Sequence, residues 1–172
     1  CEALNIQYGF DAISLMPTNL YGPGDYYHPL KSHVIPSLIN KFDIAAKNNK
    51  EKVVCWGSGT TFREFLYVDD LADACKFVLE NWKPSKEDIK YLNVGTGNDM
   101  KIKKIAEIIS KKCGFNGKIE WDCSKPDGTP KKQLDISRIN ALGWKPKTSL
   151  DKGLSLTIKN YRYLKNKEIL RQ

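Results

Sequence analysis

The sequence predicts an α/β protein, because short β-rich runs alternate along it with longer segments of helical periodicity. Its 172 residues allow one domain with a sizeable core, at roughly 100–200 residues per domain. Hydrophobic residues make up 41% and charged residues 28%. No apolar run approaches the roughly 18 residues that cross a bilayer, so a transmembrane protein is excluded and no membrane partner is expected.

The elements up to residue 68 follow from turn residues and periodicity. Gly9 is placed to end a first helix in a left-handed conformation, and Pro17 ends the strand that follows. A long loop rich in Gly, Pro, Asn and Asp comes next, and loops of that length are often functional. Ser32 is the expected N-cap of the next helix, and the turn GSGT between two β-rich runs favours a hairpin. The predicted elements are a helix over 1–9, a strand over 10–17, a loop over 18–33, a helix over 32–48, and strands over 52–56 and 63–68.

The elements after residue 68 continue the alternation. Asp69 and Asp70 are expected to cap a helix that buries one face. A further amphipathic helix is expected to stop near Gly114, and a short one to close at Gly143. The predicted elements are a helix over 71–82, a strand over 91–95, a helix over 102–114, a strand over 118–122, a loop over 123–132, a helix over 136–142, and a last helix from about Ser149.

Most of the net positive charge lies at the end of the chain. The formal charge is +8, from 28 Lys and Arg against 20 Asp and Glu, and the stretch from Lys145 onward has 8 basic and 2 acidic residues. A basic tail can bind nucleic acid or anionic lipid. However, Leu154, Ile158 and Tyr161 follow helical spacing, which favours a docked helix with its lysines in water. We therefore expect no nucleic-acid partner.

The cysteines and histidines bear on disulfides, metal binding and location, and the first residue bears on where the chain begins. The five cysteines are odd in number, widely spread and without a Cys-x-x-Cys pair, which argues against a disulfide framework and a zinc site. His28 and His33 have no cysteine at zinc spacing, so no metal is expected. A reducing, cytoplasmic location fits best. The chain has no initiator Met and no leader, and we expect it to be cut from something longer.

Single catalytic motifs are incomplete. Each of the three Gly-x-Gly pairs, which begin at Gly22, Gly57 and Gly95, lacks the third glycine of Gly-x-Gly-x-x-Gly. Tyr161 and Lys165 satisfy Tyr-x-x-x-Lys, but they lie in the basic terminal helix with no cofactor loop nearby. We interpret that spacing as a coincidence.

Two loops and one histidine are suited to an anionic ligand and to proton transfer. The turn GSGT is followed by Arg63, whose planar guanidinium can bind a diphosphate through two hydrogen bonds. The loop KPDGTPKK projects Lys131 and Lys132; a plain hairpin and a solvated loop are the alternatives. His33 follows the long loop directly at the start of a helix, where its pKa range suits acid or base work as well as a structural role.

Three segments taken together resemble the GDP-L-fucose synthase family of extended short-chain dehydrogenases/reductases: MPTNLYGPGDYYHPLKSHVIPSLI, WGSGTTFREFLYVDDLADA and SKPDGTPKKQLD. SHVIP and SKPDGTP are the more specific parts, and the resemblance covers residues 1 to about 164. It implies the C-terminal part of an extended Rossmann-type fold with its smaller substrate-binding domain. Residues 1–31 would end the dinucleotide-binding domain and form the active-site loop. Residues 32–172 would mainly bind the nucleotide sugar, with some elements returning to the Rossmann sheet.

The resemblance also implies an activity. Such enzymes use NADP(H) for the 3,5-epimerisation and 4-reduction of GDP-4-keto-6-deoxy-D-mannose to GDP-L-fucose, and they are commonly homodimers. The family's Gly-rich loop and its catalytic Ser, Cys and Tyr-x-x-x-Lys lie outside this chain, so the chain alone is expected to be inactive. Another nucleotide-sugar epimerase or dehydratase, or a non-catalytic binding module with a basic tail, remains an alternative.

By resemblance, particular residues receive roles. His33 would be the catalytic residue that protonates the enolate, and Lys41 stands where the family can carry an arginine. The residues implied to contact the cofactor are Asn19, Leu20 and His33. The residues implied to contact the GDP-sugar substrate are Asn19, Val34, Lys41, Trp56, Gly57, Arg63 and Lys132.

Overall fold

The computed structural model describes residues 2–10, 12–83 and 91–171, in which helices and strands alternate as the sequence predicts. Cys1, within the first predicted helix, lies outside the described residues. The helices are α1 (Glu2–Tyr8), α2 (Val34–Lys47), α3 (Val68–Asn81), α4 (Ile102–Cys113), α5 (Ser137–Ala141) and α6 (Leu150–Asn166). The strands are β1 (Ser14–Pro17), β2 (Asn19–Tyr21), β3 (Lys52–Trp56), β4 (Phe62–Tyr67), β5 (Tyr91–Val94), β6 (Asp99–Lys101), β7 (Lys118–Asp122) and β8 (Lys131–Lys132).

The strands pair mainly in parallel. β1 pairs with β5, β3 with β7, and β4 with both β2 and β8, all in parallel, whereas β4 and β6 are antiparallel. Mixed pairing is therefore confirmed, but the hairpin predicted around GSGT is wrong. β3 pairs with β7, whereas β4 pairs with β2, β6 and β8, so the GSGT segment carries the chain from one sheet to another.

Two hydrophobic cores stabilise the fold. The larger lies among α2, α4, α6 and the β3–β7 pair, and it contains the fully buried Phe42, Ile105 and Tyr161. The smaller joins α3 and α5 to β1 and β5 through Leu92 and Trp144. The basic tail is thus a helix docked by its apolar face, as the spacing predicts.

Local signals place most helix ends correctly. Gly114 adopts the left-handed conformation (φ 79°) at the end of α4, and the Ser149 side chain caps α6 by accepting the Lys152 N–H at 3.3 Å. Ser32, however, is not the N-cap of α2. The Ser32 N–H closes a turn onto the His28 carbonyl, and His33 becomes the N-cap.

Two further expectations are corrected. The segment predicted as a loop contains β2, because its residues pair with the end of β4. Asp70 does not cap α3; its two carboxylate oxygens accept the Thr148 N–H at 3.0 Å and the Thr148 hydroxyl at 3.1 Å. Asp70 therefore holds the segment that leads into α6 against the start of α3.

Candidate functional site

A cleft of about 410 Å³ lies beside the junction of β1 and β2. In α/β proteins, ligands bind beyond the carboxyl ends of parallel strands, and both of these strands are in parallel pairs. Leu20, Pro23 and Val68 give the cleft apolar surface, while Asp25 and His33 contribute a carboxyl group and an imidazole. The cleft therefore brings together two of the residues selected from the sequence, Leu20 and His33.

His33 lies where this cleft meets α2. Its backbone is extended (φ −67°, ψ 171°), and its carbonyl accepts the Ser37 N–H at 3.0 Å. Its side chain is exposed and, among the described residues, makes no capping bond to the helix. Burial raises the pKa of Asp25, while the Tyr26 N–H and the charge of His33 act against that rise. The imidazole is thus available to a ligand in the cleft.

Asn19 ties the start of β2 to β4. Its Nδ2 donates to the Glu64 carbonyl at 2.7 Å, and the Thr18 hydroxyl donates to the same oxygen at 3.2 Å. These bonds give Asn19 a structural task, and its contact with cofactor and sugar stays a prediction.

A second pocket, of about 150 Å³, lies between the start of α2 and the end of β3. Val34, Lys41 and Trp56 all line it, together with Trp121 of β7. Lys41 Nζ donates to the Val54 carbonyl at 3.1 Å and lies 5.4 Å from the centre of the Trp56 ring. Since 54% of Trp56 is exposed, its indole offers a flat surface on which a base could stack.

Arg63 lies on β4 beside a third cavity, of about 470 Å³. Lys132 on β8 is its register partner, so two cationic residues are neighbours across adjoining strands. Arg63 Nη1 donates to the carbonyls of Phe62 and Thr129, each at 2.6 Å. Because these bonds use one of the three guanidinium nitrogens, Nε and Nη2 retain donors for an anion.

The exposed segment 123–130, which we call the strap, lies against the GSGT turn. The Asp127 carboxylate accepts the Ser58 N–H at 2.9 Å and the Ser58 hydroxyl at 2.6 Å, and these bonds lower the pKa of Asp127. Gly57 has φ 77°, and a side chain there would collide with Asp127. The glycine is therefore required by the backbone and by the approach of the strap, which is a reason apart from its predicted contact with substrate.

Glu64 is a fully buried carboxylate that the sequence analysis did not select. It accepts the N–H groups of Thr96 at 2.5 Å, Gly97 at 2.8 Å and Leu134 at 2.9 Å. It joins β4 to the turn after β5 and to the segment that follows Lys132. These partners are 32 to 70 residues away along the chain, so no local pattern points to this role.

Tyr161 and Lys165 serve the packing of α6. The buried Tyr161 hydroxyl donates to Asn40 Oδ1 at 2.7 Å and accepts from Lys165 Nζ at 2.8 Å. Burial raises the pKa of Tyr161 and the charge of Asp43 raises it further, which is the reverse of what a phenol acting in proton transfer needs. This environment agrees with the interpretation of their spacing as a coincidence.

Among residues 2–10, 12–83 and 91–171, no group of three His, Cys, Asp or Glu side chains is arranged to hold a metal ion. No helix in the same residues has both the length and the apolar character to span a membrane.

Residues 1–95 match the NAD dependent epimerase/dehydratase family. The chain belongs to this family. That membership confirms the predicted α/β class of the extended Rossmann type.

Several similar proteins within the epimerase/dehydratase family are GDP-L-fucose synthases. The chain is 51% identical to GDP-L-fucose synthase 1 from Arabidopsis thaliana (96% of this chain, 50% of that protein) and 49% identical to GDP-L-fucose synthase from Escherichia coli strain K12 (91% and 50%). A solved GDP-L-fucose synthetase from Naegleria fowleri bound to NADP matches with a TM-score of 0.80 at 27% identity (93% and 49%). The resemblance stated from the sequence motifs is confirmed. The chain spans about half the length of the curated relatives it matches.

Proposed function

We propose that the chain is the nucleotide-sugar-binding half of an NADP(H)-dependent enzyme that converts GDP-4-keto-6-deoxy-D-mannose to GDP-L-fucose. One observation carries the proposal. His33 and Val34, adjacent in sequence, line two separate pockets: His33 shares one with Leu20, and Val34 shares the other with Lys41 and Trp56. A reacting sugar in the first pocket and a nucleotide in the second fit this arrangement. The names of relatives at about 50% identity support it.

The first pocket fits the reacting end of the substrate and the nicotinamide. Its apolar surface at Leu20, Pro23 and Val68 suits a flat, weakly polar ring. NADPH, when bound, supplies the hydride that reduces C4. Leu20 and Asn19 would contact the nicotinamide end. His33 would protonate the enolate formed next to the C4 carbonyl, because that carbonyl acidifies the protons at C3 and C5.

The second pocket and the cationic pair fit GDP. Trp56 would stack on the base, and Val34 and Gly57 would contact the nucleoside. Arg63 and Lys132, neighbours across β4 and β8, would offset the charge of the diphosphate. Lys41, whose Nζ bonds the Val54 carbonyl and lies 5.4 Å from the centre of the Trp56 ring, would add positive charge beside Trp56.

The remaining parts of the proposal concern the whole protein. Residues 1–31 would end the dinucleotide-binding domain, with 32–172 mainly binding the substrate; β5, α3 and α5 would return to the Rossmann sheet, since they share a core with β1. A homodimer through α1 is supported by the exposed Leu4, Ile6 and Tyr8. A cytoplasmic location without nucleic-acid partners fits a biosynthetic enzyme whose basic helix is docked.

The proposal is tested by titrating GDP, UDP and inorganic pyrophosphate into the chain and measuring the heat of binding. GDP is expected to bind at least about ten-fold more tightly than either competitor, because base and diphosphate are recognised together. Equal binding of GDP and UDP would favour another nucleotide-sugar enzyme. Equal binding of GDP and pyrophosphate would mean that a basic surface binds the phosphates without recognising the base.

A further inference from the structure

The strap, residues 123–130, is exposed along its length but is bonded at both ends to the substrate side of the fold. The Cys123 thiol lies 4.0 Å from the Gly57 carbonyl, and the Pro130 carbonyl accepts the Phe62 N–H at 2.8 Å.

Between these ends the strap makes two further contacts. Thr129 accepts a hydrogen bond from Arg63 Nη1 at 2.6 Å through its carbonyl. Asp127 accepts two bonds from Ser58, one from its N–H and one from its hydroxyl. The strap therefore reaches the residue proposed to bind the diphosphate, and Ser58 of the GSGT turn holds it between its bonded ends.

The charge of Asp127 is unfavourable for binding an anion. It is close enough to Arg63 for the two charges to interact, so it offsets part of the positive potential there. Lys125, on the same strap, lies with Nζ 6.0 Å from the centre of the Trp56 ring and contributes the opposite charge. A carboxylate next to a diphosphate site is better explained by the bonds that it makes than by its charge.

We infer that Asp127 is a positioning residue for the nucleotide diphosphate, acting through Ser58 to fix the strap. With the strap fixed, the Thr129 carbonyl holds Arg63 Nη1 and leaves Nε and Nη2 for the ligand. Lys125 is fixed over Trp56 in the same way. The inference rests on the proposed function, since it assumes that GDP is the ligand.

The turn is built for this contact. Gly57 adopts φ 77°, and the space where its Cβ would lie is occupied by the Asp127 carboxylate. Ser58 is further oriented by Thr60, whose hydroxyl lies 2.7 Å from the Ser58 hydroxyl. Both sides of the contact are therefore shaped for each other, although they lie 69 residues apart in the chain.

The test is a double-mutant cycle of GDP affinity, measured by calorimetry on Asp127→Asn, Ser58→Ala and the double variant. Each single change is expected to weaken GDP binding about 3- to 10-fold, the worth of a typical hydrogen bond. The double variant should be no weaker than the weaker single variant, because both changes break one contact. Ser58→Thr keeps the hydroxyl and should retain the affinity of the unchanged chain. Amide exchange of the strap should accelerate in the two single variants.

Two control variants separate the effect of the Asp127–Ser58 contact from general effects of surface changes in or near the strap. Ser124→Ala removes a hydroxyl of the strap that bonds Asp122 at 2.6 Å and not the turn. Asp135→Asn removes a carboxylate charge from the exposed Asp135, which accepts the Ser137 N–H at 2.9 Å. Both should change GDP affinity by less than about two-fold, as surface changes generally do.

The outcomes for the inference and for the proposed function differ. If Asp127→Asn binds GDP as tightly as the unchanged chain, or more tightly, or if the two single effects add, the positioning role is overturned while the proposed function stands. If the unchanged chain binds no GDP, the proposed function fails and the inference fails with it.

Discussion

His33 combines a fixed backbone with an exposed imidazole. The first hydrogen bond of α2 holds its carbonyl, and its side chain borders the cleft that contains Leu20. The backbone of His33 is therefore fixed at the edge of the cleft, and contact with a ligand in the cleft would order the imidazole for proton transfer. The position of His33 at a loop-to-helix junction was readable from the sequence. The surroundings of the cleft were not, because Val68 comes from a distant element.

We expect His33→Gln to slow the epimerisation steps by roughly 10²–10⁴ in an enzyme that combines this chain with a catalytic Rossmann half. Glutamine keeps the size and polarity but cannot donate a proton as imidazolium does. The measurement is solvent deuterium entering C3 and C5 of the sugar. His28→Gln is the matched control, since His28 bonds the N–H groups of Leu30 and Lys31 within its own loop. Deuterium entry at the unchanged rate in His33→Gln would remove the assignment.

Arg63 is the residue for which charge and geometry can be separated. Arg63→Lys keeps the charge but loses the bond to the Thr129 carbonyl and the fork that suits a diphosphate. GDP affinity is expected to fall by about 1–3 kcal/mol, measured by calorimetry. Arg138→Lys, at an exposed arginine that donates to the Tyr91 carbonyl at 2.9 Å, should leave the affinity unchanged. An unchanged affinity in Arg63→Lys would mean that Arg63 only holds the strap.

Among the elements, α6 depends on one buried carboxylate of α2. The side chain of Asp43 is inaccessible to solvent and accepts from Arg162 Nε at 2.8 Å; Lys47 and Lys165 lie 3.3 and 3.5 Å from its other oxygen. Burial acts to raise the pKa of Asp43, but the bond from Arg162 and the charge of Lys47 outweigh burial and hold it below its usual value. The ion-pair cluster therefore favours the charged form and secures α6 on α2.

The expected effect of Asp43→Asn is a loss of roughly 1.5–3 kcal/mol of unfolding free energy at neutral pH, measured by denaturant titration. Because the folded pKa lies below the unfolded one, the contribution of Asp43 is complete above about pH 4 and is lost as the pH falls through the folded pKa. The variant should thus lose that part of the acid sensitivity. Glu107→Gln, in the exposed pair with Lys104, is the control and should cost less than about 1 kcal/mol. Equal effects of the two changes would contradict the role of Asp43.

Elements with strong periodicity or clear turn residues were predictable, and pairings between distant segments were not. α4 follows from its apolar stripe and Gly114, and α6 from Ser149 and its buried face. The partner of β3 could not be read from GSGT, because β7, with which β3 pairs, lies more than 60 residues later in the chain. Asp127 and Glu64 were missed for the same reason, since their partners are distant in sequence.

At the scale of the whole molecule, the two cores match the two tasks proposed for the chain. The smaller core packs α3 and α5 on β1 and β5, which are the elements proposed to join the Rossmann sheet. The larger core shares Leu38 and Cys55 with the pocket of Val34, Lys41 and Trp56. The cleft of His33 lies at β2, between the elements of the two cores. We therefore propose that the chain contributes the substrate side of a site, and that most of the cofactor side lies in another segment.

The most direct measurement is the oxidation of NADPH by the chain in the presence of GDP-4-keto-6-deoxy-D-mannose, followed at the absorbance band of the reduced nicotinamide. We expect no oxidation by the chain alone, because hydride transfer needs a held nicotinamide and a proton donor for the alkoxide. We expect oxidation, with GDP-L-fucose as product and solvent deuterium at C3 and C5, once a catalytic Rossmann half is joined to the chain. Oxidation by the chain alone that scales with protein concentration, or a joined enzyme that leaves this substrate unchanged, would contradict the proposed function.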